Sequence, residues 1–257
     1  MPLILLLAAI TGPVSFPMEA HGELSAYSFF EQDEFHFIYG ELGTVMRVLA
    51  AGDFSWRLGM DMTTYMGKNK NHPEMKFNIY HAHWNLRVQF DYQLLEPLLV
   101  RLYTDHECYH NIDCPDSTSE YMNNIKIGAV YDPSLPAPSE APALHLGGWP
   151  SGWLSFGIYR PKGESFQKGH DFEWSIQAGS DVLLAGWRSW LTGVRYEPSF
   201  YFHEDSGTSS RHELEWYLSY HPGTGGAFEA YIAWFPHDTQ PFHALEGRSY
   251  WGIRFVW

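Results

Sequence analysis

The sequence predicts an all-β fold: a single antiparallel, up-and-down transmembrane β-barrel of about twelve strands. Three observations carry this. Apolar and polar residues alternate with a period of two in segment after segment, as strands do when one face meets lipid and the other a polar lumen. No stretch reaches the roughly 18 consecutive apolar residues of a membrane helix, so a chain that crosses a bilayer without one must do so as a closed barrel. The connections between candidate strands alternate short and long. Composition agrees, since 11 Trp, 16 Tyr and 17 Phe in 257 residues make the chain 17% aromatic. With 16 Lys+Arg against 30 Asp+Glu the formal charge is −14. That argues against a nucleic-acid partner, whose phosphates demand a basic surface.

The elements follow in order. Leu3 to Ile10 form an apolar run of signal-peptide length, so residues 1–20 read as an export signal ending near Ala20, and 21–257 as the barrel. No cysteine lies near that signal, which excludes a lipoprotein anchor. Candidate strands run over 35–49, 54–66, 77–92, 95–110, 120–131, 150–160, 171–183, 187–202, 211–221, 226–236 and 248–257. The clearest is 80–92, where Tyr80, Ala82, Trp84, Leu86, Val88, Phe90 and Tyr92 alternate with His81, His83, Asn85, Arg87, Gln89 and Asp91. Connections are short near Gly52, Leu94, Gly186 and Pro222, and long at 67–76, 110–119, 161–170, 203–210 and 237–247. For both termini to share a side, a further strand must precede 35–49, and 23–31 supplies it. One connection breaks the rule. Residues 132–149 hold Pro133, Pro136, Pro138 and Pro142 on the short-turn side, which predicts a polyproline spacer or a plug-like excursion.

At the end of the chain Trp251, Ile253, Phe255 and Trp257 alternate with Tyr250, Gly252, Arg254 and Val256. This resembles the C-terminal strand of Gram-negative outer-membrane β-barrels. The resemblance implies outer-membrane localisation, contact with outer-membrane lipids and lipopolysaccharide, and recognition of the last strand by the barrel-assembly machinery. A second stretch is similar to a Gram-negative barrel family of unknown function, which has His-x-Ser-x-His-x-Gly-Asp at a strand's outer end followed by Asn-x-Leu-x-Leu-Gly. The counterparts are His106, His110 and Asp113, then Asn124, Lys126 and Gly128, with Cys108 in place of Ser and Ile112 in place of Gly. That family implies no activity.

A tight turn between 77–92 and 95–110 would pair residues whose numbers sum to about 188, placing His83 opposite Asp105 and His81 opposite Glu107 near the outer end. Asp61, Asn124 and Lys126 would flank them. A carboxylate on an imidazole fixes its tautomer and raises its basicity, so this cluster is a candidate water-activating site. The competing and preferred reading is a lumenal lattice of interlocked charges that does no chemistry: Asp61, Arg87, Asp91, Arg101, Lys126, Arg195, Glu213, Glu215 and Arg254. His106, Cys108 and His110 share one face at a metal-ligand spacing, but it is the face of Leu98, Val100 and Leu102. In an exported chain with two cysteines, a Cys108–Cys114 disulfide is preferred over a metal site. No cofactor or metal is expected. Mid-strand glycines on the lumen face (Gly59, Gly128, Gly179, Gly193) are expected to relieve crowding.

The preferred function is therefore that of a non-enzymatic integral envelope protein, structural or passing small solutes. One alternative is a barrel hydrolase acting on lipid or peptide at its outer lip through the His83/Asp105 pair. The other is a secreted carbohydrate-binding β-sandwich. The faces decide between membrane and sandwich: a sandwich would seal Trp84, Leu86 and Val88 inside and leave Arg87 and Asp91 in solvent.

Overall fold

The computed structural model describes residues 14–16, 19–33, 36–68, 77–111, 120–133, 145–146, 150–160, 171–223, 225–240 and 245–257. Twelve antiparallel strands form the wall. They are β1 (Glu19–Phe29), β2 (Ile38–Ala51), β3 (Phe54–Lys68), β4 (Phe77–Leu95), β5 (Leu98–Asn111) and β6 (Glu120–Tyr131), followed by β7 (Ser151–Tyr159), β8 (Phe172–Trp187), β9 (Trp190–His203), β10 (Thr208–Tyr220), β11 (Ala227–Asp238) and β12 (Ser249–Val256). Each pairs with the next, and β12 returns to β1 from Tyr250↔Phe29 to Val256↔Glu23. Two backbone bonds complete the seam, from Trp257 N to Gly22 O at 2.9 Å and from Gly22 N to Trp257 O at 3.0 Å. Closure leaves no main-chain edge for lipid to meet, which is what a bilayer demands of a sheet.

The orientation of the two faces settles what solvent this barrel lives in. Leu86, Leu102, Ile127 and Ile253 are 48%, 49%, 54% and 62% exposed on the outside, whereas Asp91 and Asp105 are 1% exposed within. An apolar exterior and a charged interior invert a water-soluble protein and match a lipid-embedded barrel. The sandwich alternative is thereby corrected. A closed ring of strands with its aliphatic residues outward has no second sheet to bury them against.

Short turns gather at the end that holds both termini: Gly52-Asp53, Glu96-Pro97 and Arg188-Ser189. Gly52 takes φ 57°, which a two-residue hairpin of this type asks of its first central residue. Arg188 adopts φ 54° in the equivalent place, with its guanidinium 4.8 Å from the Trp187 ring centroid. Exposed Trp187, Trp190, Tyr220 and Tyr131 ring this end as an interfacial girdle would. The opposite end carries the longer connections, including 69–76, 112–119 and 160–171.

Of the proline-rich connection, 134–144 and 147–149 lie outside the described residues. His145–Leu146 pairs with Gly186 and Ala185 of β8, on the edge that β7 occupies further along. Here the excursion runs along the wall at the turn end. Val14–Ser15 does the same on β2, against Ala51 and Ala50. Residues 1–13 lie outside the described residues, and Glu19 and Ala20 already pair with Arg47 and Met46.

Candidate functional site

The lumen concentrates the ionisable groups, because the odd-numbered residues of β3 to β5 and the even-numbered residues of β6 point inward between the turns. Their actual neighbours depend on register. β4 and β5 pair as His81↔Asn111, His83↔Tyr109, Asn85↔Glu107, Arg87↔Asp105 and Asp91↔Arg101. The expected pairing of His83 with Asp105 and of His81 with Glu107 is therefore corrected. The turn sits at Glu96-Pro97 rather than near Leu94, and moving its centre by two residues moves each partner by four. Asp105 belongs to cations: Arg87 Nε lies 2.7 Å and Lys126 Nζ 3.1 Å from its two oxygens. His83 stacks on Tyr109 with centroids 4.2 Å apart, and its Nε2 is 3.8 Å from Glu107 Oε2. Glu107 in turn accepts from Asn124 Nδ2 at 3.3 Å and faces Lys126 Nζ at 3.6 Å. His81 stands edge-on to Tyr65, 6.4 Å between centroids. The acid expected to orient His83 is thus held by two cations, and the carboxylate that does lie near its Nε2 is Glu107.

Two hubs organise the rest of the lumen. On the β3–β5 wall Asp91 receives Arg57 Nε at 3.1 Å, Arg101 Nε at 2.9 Å and Gln89 Nε2 at 2.8 Å. On the opposite wall Arg195 bridges Asp181 at 2.9 Å, Glu215 at 2.7 Å and Glu229 at 2.9 Å, and Arg254 reaches Glu215 and Glu229 from β12. Aromatic faces cover these cations, with Tyr217 4.2 Å from Arg195 and Tyr231 4.5 Å from Arg254. Glu213 accepts the Tyr250 hydroxyl. Asp61, Glu41 and Glu197 have no ion-pair partner among the described residues. Between the walls lies a cavity of about 550 Å³. It runs from Ala227 and Val256 at the turn end to Phe235 and Leu245 near the loop end. Toward the loops an aromatic cluster of Phe29, Tyr39, Phe235 and Tyr250 narrows it.

His106, Cys108 and His110 stay on the outward face of β5, where His106 Nδ1 meets Asn123 Oδ1 at 2.9 Å. Cys108 is a half-buried thiol, and Cys114 lies outside the described residues. Among the described residues no group of three or more His, Cys, Asp or Glu is gathered as a metal would need.

A third constellation escaped the sequence. At the loop end of β8–β10, Asp171 Oδ1 lies 2.7 Å from His203 Nδ1, and Ser209 Oγ lies 3.0 Å from His203 Nε2. Asp171 precedes β8, His203 ends β9 and Ser209 is the second residue of β10. The only local signal was the Asp205-Ser206-Gly207 turn, which places His203 and Ser209 on one hairpin but says nothing about Asp171.

No protein-family model matches the chain, and no curated protein matches it either. Solved structures do. Outer membrane phospholipase A from Escherichia coli superimposes with a TM-score of 0.52 at 7% identity, covering 97% of this chain and 96% of that one. The outer membrane phospholipase dimer of Salmonella typhi with bound calcium gives the same TM-score, identity and coverage. A KdgM porin gives 0.49 at 9% identity, covering 92% of this chain and 98% of that one. At such identities the likeness is one of fold. This chain has the fold of the outer-membrane β-barrels, and its apolar belt is that of a barrel embedded in lipid.

Proposed function

We propose that the protein is an integral envelope barrel whose lumen passes small solutes, with a preference for cations. One observation carries this reading. The 550 Å³ cavity is lined by six glutamates (Glu23, Glu41, Glu197, Glu213, Glu215, Glu229) against three arginines (Arg195, Arg211, Arg254). That volume holds roughly 18 waters at ~30 Å³ each, enough for a file of water but not for a large solute. Low-dielectric walls focus the field of the surplus carboxyl groups, and a ring of acidic side chains favours cations over anions. Contacts with outer-membrane lipids and lipopolysaccharide, delivery of the final strand to the assembly machinery, and a Cys108–Cys114 disulfide belong to the same proposal.

Single-channel recording in a planar bilayer under a potassium chloride gradient tests it. We expect small unitary conductances with a reversal potential on the cation-selective side, displaced toward zero in Glu197→Gln. A refolded barrel that never conducts, or that prefers chloride, overturns the reading.

A further inference from the structure

We propose that Asp171, His203 and Ser209 form an acyl-transfer site at the loop-end mouth of the barrel, acting on carboxylic esters. This activity is independent of whether the lumen passes solute. Geometry is the first argument. An ionised carboxylate can only accept, so Asp171 at 2.7 Å fixes the proton on His203 Nδ1, and Nε2 turns its lone pair to the Ser209 hydroxyl at 3.0 Å. Nucleophile, base and orienting acid thus stand in hydrogen-bond reach in the order that serine hydrolysis uses.

Rigidity is the second argument. His203 N donates to Gly207 O at 2.9 Å and Ser206 N to His203 O at 3.0 Å, with Ser206 at φ 70°, which closes a three-residue hairpin between base and nucleophile. Glu204 N donates to Asp171 O at 2.9 Å and ties the acid's backbone to that hairpin. Phe172 stands edge-on to the imidazole, centroids 4.9 Å apart, and fixes its plane. Placement is the third. The His203 and Asp171 side chains are 14% and 30% exposed at the rim, while Ser209 is 6% exposed on the lumen face beneath them. Two residues along that face, Arg211 brings a guanidinium to the cavity. On the outside at the same level Trp174 and Phe202 stack with centroids 3.5 Å apart, as interfacial aromatics at headgroup depth.

The step balances without a further reagent. Ser209 Oγ bonds to the ester carbonyl carbon as His203 Nε2 takes its proton. The tetrahedral adduct then expels the alcohol, which receives that proton from Nε2. Water, deprotonated by the same nitrogen, releases the carboxylic acid and restores the hydroxyl, so ester and water become acid and alcohol.

The test uses the refolded barrel in detergent micelles and a fluorophosphonate, which phosphonylates only an activated serine as fluoride departs. We expect one adduct, mapped by mass spectrometry to Ser209. It should be absent in Ser209→Ala and slowed by roughly 10³–10⁴-fold in Asp171→Asn, which preserves shape but loses the tautomer. His203→Gln should abolish it, and if that variant does not fold, Asp171→Asn decides alone. Turnover of p-nitrophenyl butyrate in solution or of dimyristoylphosphatidylcholine in mixed micelles, lost in Ser209→Ala, supports the proposal and separates a soluble ester from a lipid one. A heat-modifiable, folded barrel with Ser209 unlabelled and neither ester turned over overturns it. So does equal labelling of wild type and Asp171→Asn. A merely structural chain would lower the unfolding midpoint in Ser209→Ala and react with nothing.

Discussion

Asp91 shows how single residues hold this lumen. Its carboxylate is 1% exposed and takes two guanidiniums and an amide, while Arg57 and Arg101 keep 25% and 26% of their side-chain surface. Removing one partner of an enclosed ion pair leaves the other's charge uncompensated. Asp91→Asn therefore costs about 2–4 kcal/mol, less than a fully dry pair because the arginines remain partly wet, and the urea midpoint of the detergent-refolded barrel reads it. The same reasoning applies at His83: its ring stacks on Tyr109, and Asp105, the acid expected beside it, belongs to Arg87 and Lys126.

Strands are shaped by what faces their glycines. Gly179 is directly opposite Trp153, and Gly193 opposite Tyr217. A Cβ on Gly179 would stand 2.2 Å from Trp153 Nε1, and one on Gly193 2.4 Å from the Tyr217 hydroxyl oxygen. Each aromatic side chain lies across the strand beside it, filling lumen that a side chain would otherwise occupy. Gly179→Val must displace the indole and is expected to cost about 1–3 kcal/mol in urea unfolding. Gly40→Ala is the matched control, since its Cβ would meet only the Met66 methyl at 3.9 Å, and its midpoint should hardly move. Both Gly179 and Gly193 were legible as crowding relief because a glycine on an alternating polar face has few other purposes. Which aromatic each one admits was not, because that is a matter of pairing.

The whole molecule answers to the bilayer. Leu102 lies on the exposed belt between Phe90 and Ile127. An arginine at such a depth costs about 2–4 kcal/mol, falling to almost nothing near the interfaces. Leu102→Arg should lose that much in a lipid-bilayer folding titration, whereas the same exchange at Trp187 on the girdle should be nearly silent. Equal losses at both positions would mean that the belt does not face hydrocarbon.

By itself the sequence determined the strand inventory, the twelfth strand required by parity, and which side of every ribbon meets lipid. These follow from a period of two, which is written residue by residue and survives any even shift of register. Only the tertiary structure decided who faces whom. The β4–β5 turn lies two residues beyond its expected centre, so all inward residues stay inward but every partner changes. Asp171 and His203 meet across 32 positions of chain. The β8–β9 pairing, which sets Phe172 opposite His203, creates that meeting, and no local pattern encodes it.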